Sequence, residues 1–132
     1  MKVVEVRIIF EFLSKLKLNK FTKDVRIAVL KNYTELFTAY KEQETKIEEL
    51  KKKVFSEEDL MAIQESIENK LPLSKELLDK NNEYNSVLTE LFESEYDIKI
   101  TKISEEDFAN CLADSEVEFT PLDIVRLKPI LK

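Results

Sequence analysis

Apolar side chains recur at helical spacing from the first residues of the chain. Five of them, from Val6 to Leu16, fall on one stripe of a helix. This pattern predicts an amphipathic helix from about Val4 to Leu18. A β-strand through residues 3–9 is the competing assignment, because the start is rich in β-branched residues.

The second segment carries the longest regular pattern. Thr22 is a favourable N-cap, and no Gly or Pro interrupts the residues that follow. A helix over residues 23–54 would be roughly 48 Å long, which is too long to bury fully in a chain of 132 residues. Its apolar seam steps by four and three residues, as in a coiled coil: Val29, Tyr33, Leu36, Tyr40, Gln43, Ile47, Leu50 and Val54. We therefore expect part of this helix to meet another helix or another chain.

A second seam predicts a helical hairpin. Ser56 opens a shorter acidic helix whose apolar stripe is Leu60, Ile63 and Ile67, and Ser74 caps a further helix to about Glu93. The later helix repeats the four-and-three spacing at Leu77, Asn81, Tyr84, Leu88 and Leu91. Two such seams predict a long antiparallel hairpin with residues 56–72 at the turn. Gln43 and Asn81 place one amide in each seam, either to fix the register or at its solvent edge.

The pattern changes after residue 96. Residues 97–103 alternate apolar and polar side chains, which predicts a strand, and residues 117–119 form a second short extended piece. Ser104 and Thr120 open two short helices, the last over about 121–128. The predicted fold is mainly α: a long antiparallel helical hairpin, additional short helices and a small two-stranded β element near the C-terminus. We expect one domain over residues 1–132, with a helical part (1–95) and a small α+β part (96–132).

Two absences from the composition exclude many functions. The chain has no glycine and no histidine. Without glycine it cannot form a P-loop, a dinucleotide fingerprint or a glycine-flanked nucleophile elbow. Without histidine it lacks the usual general base and the commonest metal ligand. We expect no enzyme activity, no cofactor, and helices that end on Asn or on ordinary turns.

The single cysteine and the distribution of charge narrow the range of possible functions further. Cys111 has no partner for an internal disulfide and no histidine to activate it. The net charge is −6, yet residues 1–53 carry 13 basic against 8 acidic side chains, whereas residues 54–132 carry 8 against 19. The two halves either attract each other or expose opposite signs, and the acidic half suits a basic partner.

Two rows of alternating carboxylates are candidate cation ligands. They are Glu93, Glu95 and Asp97, and Asp114, Glu116 and Glu118. If both stretches are extended, each row lines one face and offers oxygen ligands to a divalent cation. A solvated acidic face is the favoured interpretation, since nothing resembles an EF-hand loop, and we predict no metal site.

A basic cluster surrounds the junction of the first two helices. Six lysines and arginines from Lys15 to Lys31 face one acid, Asp24, with Phe21 among them. Such a patch can hold a phosphate backbone, but a pI of about 4.9 disfavours nucleic acid as the partner. Tyr33, Phe37 and Tyr40 are typical of core packing, or alternatively anchor a partner helix.

The order of these elements resembles a family of short proteins of unknown function from tailed phages and prophages. The residues that carry the resemblance are Phe12–Leu16, Val25–Asn32, the stretch Asp97–Ile103 and the terminal Thr120–Asp123. The segment 54–73 departs from that layout. The resemblance implies no catalytic residues, and it implies either a structural or assembly role in the phage or an accessory role in the host cell.

From these observations we expect a non-enzymatic protein–protein interaction module, most simply a virion structural or assembly component that forms a homo-oligomer. The alternative is an inhibitor of a host defence enzyme that acts through its acidic surface. No segment is apolar enough to span a membrane, so we expect it in the host cytoplasm or the virion. The expected partner-binding residues are Tyr33, Leu36, Tyr40, Ile47, Leu50, Glu93, Glu95 and Asp97.

Overall fold

The computed structural model describes residues 1–132 and is mainly α-helical, as predicted. Its elements are α1 (Val3–Ser14), α2 (Lys23–Val54), α3 (Glu57–Asn69), α4 (Lys75–Glu93), α5 (Glu105–Asp114) and α6 (Pro121–Arg126), followed by a 3-10 turn, Lys128–Ile130. The first segment is a helix and not the competing strand. The second is one continuous helix of 32 residues over the predicted range.

Hydroxyl side chains begin four of the helices at the positions expected from the sequence. Ser56, Ser74, Ser104 and Thr120 each accept a hydrogen bond from the backbone N–H three residues on. At Ser56 and Thr120 the acid in that position accepts from the cap N–H in return. These local bonds explain why the helix starts were readable from the sequence.

The expectation about helix ends needs a correction. Lys70 follows α3 with φ 53° and ψ 38°, and Glu116 has φ 58°. Both are in the left-handed region that normally favours glycine or asparagine. The chain therefore does contain turns that suit a glycine, and it makes them with ordinary side chains.

The chain divides into two compact units. Unit 1 consists of Met1–Lys41 and Glu95–Lys132, and unit 2 of Glu42–Ser94. Helix α2 supplies residues to both. The predicted parts, 1–95 and 96–132, do not coincide with these units, because residues 95–132 pack with the N-terminal helices.

Unit 1 contains most of the buried side chains. Its core gathers apolar residues from α1, the first half of α2, α5 and the C-terminal turn: Val6, Ile9, Leu13, Phe21, Val25, Val29, Leu36, Phe108, Leu112, Leu127 and Ile130. Phe21 meets Phe108 edge-to-face, with ring centroids 6.2 Å apart. These contacts bring both ends of the chain into one core.

The predicted β element is not confirmed, since the structure contains no strand. Its bridges are isolated ones between Lys2 and Glu95 and between Ile103 and Leu131. Residues 117–119 do not pair with 98–103. Instead, the buried carboxamide of Asn32 on α2 donates to Thr101 O (2.9 Å) and accepts from Thr101 N (2.8 Å). A side chain thus takes the backbone groups that a neighbouring strand would have used.

Unit 2 has a much sparser core. Of its residues, only Gln43, Phe55 and Leu77 are buried. The seam positions on the end of α2 and on α4 are half-buried: Ile47, Leu50, Val54, Asn81, Tyr84, Leu88 and Leu91. The Phe55 ring lies 5.6 Å from that of Tyr84. This arrangement is consistent with a helical hairpin that has α3 at its bend.

Candidate functional site

Helix α3 is the amphipathic helix with the least burial in unit 2. None of its residues is buried, and Met61 and Ile67 remain 70 % and 74 % exposed. A globular helix normally hides its apolar stripe against a neighbour. In α3, only part of the apolar stripe is covered by neighbouring residues.

An open apolar groove lies along α3. It has a volume of about 630 Å³ and is lined by the end of α2, α3 and α4, through Lys51, Phe55, Leu60, Ile63, Gln64, Ile67, Glu68, Asn81 and Tyr84. The lining comes entirely from unit 2. Large apolar side chains on three segments with a few polar groups at the edge are typical of a surface that binds another apolar side chain or helix.

The surroundings of the groove are acidic. Unit 2 carries 14 Asp and Glu against 7 Lys, and α3 itself has five acids and no base. One of these acids, Asp59, accepts a hydrogen bond of 2.7 Å from Lys80 Nζ on α4. That ammonium group, together with the Ser56 N–H, lowers the pKa of Asp59 below 3.8, and Asp59 raises the pKa of Lys80 above 10.5. The pair links α3 to α4.

Gln43 is a buried amide at the start of unit 2. It is 1 % exposed, and neither its Oε1 nor its Nε2 has a hydrogen-bond partner within the protein. Of the two positions proposed for it, the core of the seam is the one observed. Its counterpart Asn81 is half-buried and lines the groove.

The expected partner-binding aromatics belong to an aromatic cluster in unit 1. Phe10 stacks on Tyr33 and Tyr40, with centroids 5.3 and 4.5 Å apart, and the Arg7 guanidinium lies 4.8 Å from the Tyr40 centroid. Leu36 is fully buried in the core. Leu36 therefore packs within the chain. Tyr33 and Tyr40 are half-buried.

The remaining expected site residues are divided between the two units: Ile47, Leu50 and Glu93 belong to unit 2, and Glu95 and Asp97 belong to unit 1. Ile47 and Leu50 are half-buried on the unit 2 part of α2. Glu93 is the last residue of α4, and the carboxylate of Glu95 accepts a hydrogen bond of 3.0 Å from the Met1 ammonium. Asp97, two residues after Glu95, is exposed.

Both carboxylate rows are broken by helix ends, which corrects the expected extended faces. Asp114 ends α5 and Glu116 has a positive φ, just as Glu93 ends α4. No group of three or more His, Cys, Asp or Glu side chains is arranged to hold a metal ion.

Phe21, proposed as the aromatic of a basic phosphate-binding patch, is only 4 % exposed. Its ring packs against Phe108, so it has no free face on which a base could stack. None of the helices combines the length and the apolar character needed to cross a bilayer.

Comparison of the chain with protein-family models, curated proteins and solved structures finds no match.

Sequence reasoning identified the apolar stripe of α3 but not its role as a groove wall. Leu60, Ile63 and Ile67 were predicted as the apolar stripe of a short acidic helix, with no binding role. One signal in the sequence could have indicated the groove: residues 42–94 contain few apolar side chains that could cover this stripe.

Proposed function

We propose that the chain is a non-enzymatic protein–protein interaction module that binds through the groove of unit 2. The observation that carries this proposal is the exposed apolar surface of that unit. Met61, Ile67, Leu71, Leu78 and Val87 are 39–74 % exposed there, although the same unit buries only three residues. Apolar surface of this kind is normally covered by a partner.

A virion structural or assembly component of a tailed phage is the biological setting we propose. The layout resemblance to short phage proteins suggests it, and a long helix with an open groove suits a protein that works by packing. The proposal includes self-association of the chain into a homo-oligomer.

Inhibition of a host defence enzyme is the second candidate, and the acidic character of unit 2 favours it. With twice as many acidic as basic side chains, this unit suits a basic nucleic-acid groove. Such an inhibitor would be retained on a purified basic nuclease at low salt, released at high salt, and would block the nuclease in the bound state.

Site-specific photo-crosslinking tests the proposed interaction. A photo-reactive side chain replaces Ile67 in the groove and, in a control, Leu122, which is 53 % exposed on α6. In the cell that produces the protein, we expect crosslinks to protein from position 67 at a higher yield than from position 122. Equal yields at the two positions, or no crosslink at 67, would refute the proposal.

A further inference from the structure

The groove of unit 2 has a complementary surface on unit 1. On the outer side of α2, Ile27, Leu30 and Phe37 are 41 %, 50 % and 42 % exposed. Their spacing of three and seven residues puts them on one face of the helix. We call these three residues, with Lys23, Lys31 and Lys41 beside them, the α2 stripe.

Hydrogen bonds make this face less polar than its sequence suggests. Thr34 and Thr38 lie between the apolar residues, and their hydroxyls donate to the carbonyls of Leu30 (3.0 Å) and Thr34 (3.2 Å). Because each hydroxyl donates within its own helix, neither donor is left unpaired on this face. Lys41 Nζ lies 5.5 Å from the Phe37 ring centroid, which adds a cation at one end of the stripe.

The stripe is long enough to cover the groove, and the two surfaces are opposite in charge. From Ile27 to Phe37 the stripe spans about 15 Å, and the groove side of α3 from Leu60 to Ile67 spans about 10 Å. The three lysines of the stripe would face α3, which carries five acids and no base. Lys51 and Glu68 are the charged residues that line the groove itself, so the attraction for a basic helix comes from the other acids of α3.

We infer that the α2 stripe of a second copy of this chain occupies the groove, in a helix-in-groove contact. Within one chain both surfaces remain exposed, as the accessibilities of Leu30 and Ile67 show. The inference rests on the proposed function and names the partner of the same groove.

Each copy offers one groove and one stripe. Two copies can exchange them reciprocally in a closed dimer, or successive copies can add head-to-tail in a ring or an open series. In each case association weakens with added salt, because charge pairs contribute to it.

Two single substitutions and their mixture test this arrangement. Ile67→Lys places a cation in the groove, and Leu30→Glu places an anion in the stripe; Val125→Lys and Leu122→Glu on α6 are the matched controls, at 60 % and 53 % exposure. Sedimentation velocity of the full chain should show concentration-dependent oligomers for the wild type and both controls. Each test variant alone should associate at least about tenfold more weakly.

The mixture gives the sharper result. The Ile67→Lys chain retains its stripe and the Leu30→Glu chain retains its groove, so together they should form a 1:1 complex and nothing larger. Should circular dichroism show that either variant is unfolded, Lys31→Glu and Glu68→Lys repeat the mixing test with exposed charged residues.

Three outcomes would overturn the inference. They are a strictly monomeric wild type, oligomers that persist in Leu30→Glu, and a mixture that stays monomeric. A monomeric wild type that still crosslinks to another protein at position 67 would refute the second copy as partner while supporting the proposed function. Absence of crosslinks at position 67 would refute both.

Discussion

Two buried amides on α2 differ in whether their hydrogen bonds are satisfied. Asn32 gives and receives one bond with the backbone of Thr101, whereas the amide of Gln43 finds no partner in the protein. A satisfied buried amide ties two segments together, while an unsatisfied one costs the free energy of its desolvation. We therefore expect the same chemical group to have opposite effects on stability at these two positions of α2.

Replacing Asn32 by Ala should lower the free energy of unfolding by about 1–3 kcal/mol, since two hydrogen bonds are lost and the Thr101 backbone groups lose their partner. Urea denaturation followed by circular dichroism measures the change. Asn82→Ala, at an exposed position of α4, is the control and should leave the free energy almost unchanged. An equal effect in both variants would contradict the tethering role of Asn32.

Gln43→Met should stabilise the protein, in contrast to Asn32→Ala. The thioether has a similar shape and no buried donor to leave unpaired, so the free energy of unfolding should rise by about 1–3 kcal/mol. The same urea experiment measures the change, with Asn82→Met at an exposed position of α4 as the control. A loss of stability would mean that the Gln43 amide is satisfied in solution.

At the scale of elements, α3 has a complete N-terminal cap although it is poorly packed. Ser56 and Asp59 close a capping box, yet no residue of the helix is buried. Local bonds therefore define where α3 starts, and the contact between Asp59 and Lys80 links the helix to α4. At its far end Lys70 adopts the left-handed conformation, which costs a β-carbon-bearing residue roughly 1–2 kcal/mol.

The pair of Asp59 and Lys80 predicts a pH dependence. The pKa of Asp59 is lowered when folded, so its stabilising contribution is present above 3.8 and is lost as the pH falls through the folded value. The pKa of Lys80 is raised, so its contribution is complete below 10.5 and is lost as the pH rises through the folded value. Between these limits the stabilisation is complete.

Asp59→Asn keeps an acceptor for the Ser56 N–H but removes the charge. We expect a lower urea midpoint for α3 unfolding than in the wild type at pH 7. The two midpoints should converge as the pH falls through the folded pKa of Asp59, which lies below 3.8. Asp79→Asn, at an exposed position of α4, should show no such convergence. A midpoint difference that persists in acid would contradict an ionic origin.

Elements of the chain differ in how far they could be predicted. Helix starts were readable because Ser56, Ser74, Ser104 and Thr120 bond to their own neighbours in sequence. The extended residues 98–103 were predicted as a strand because alternation reports only the local conformation. Their hydrogen-bond partner, Asn32, lies 69 residues away from Thr101, and no local pattern contains it. The groove was likewise hidden, since three separate segments form it.

At the scale of the whole molecule, burial is distributed unevenly. Unit 1 holds all but three of the buried residues, although unit 2 spans Glu42–Ser94. Regions with few buried apolar contacts open locally at low free-energy cost. Unit 2 is therefore the part of the chain that a partner would stabilise most.

Hydrogen–deuterium exchange should show this difference directly. At concentrations below those of association, peptides of α3 should exchange faster than peptides of α1, whose residues Val3, Val6, Ile9 and Leu13 are buried. At high concentration, protection should increase over α3 and over residues 23–41. Equal protection of α1 and α3 in the dilute protein would contradict the sparse core of unit 2.

The sequence alone determined the helices, their caps, the two seams, the charge asymmetry and the exclusion of sites that require glycine or histidine. Each of these depends on residue types or on contacts within a few positions. The tertiary structure alone decided that residues 95–132 join unit 1, that Asn32 replaces a strand, that Leu36 is buried, and that α3 borders an open groove. These features depend on which distant segments pack against the same apolar surface or bond to the same backbone groups. The periodicity of residues along the chain contains no information about those long-range contacts.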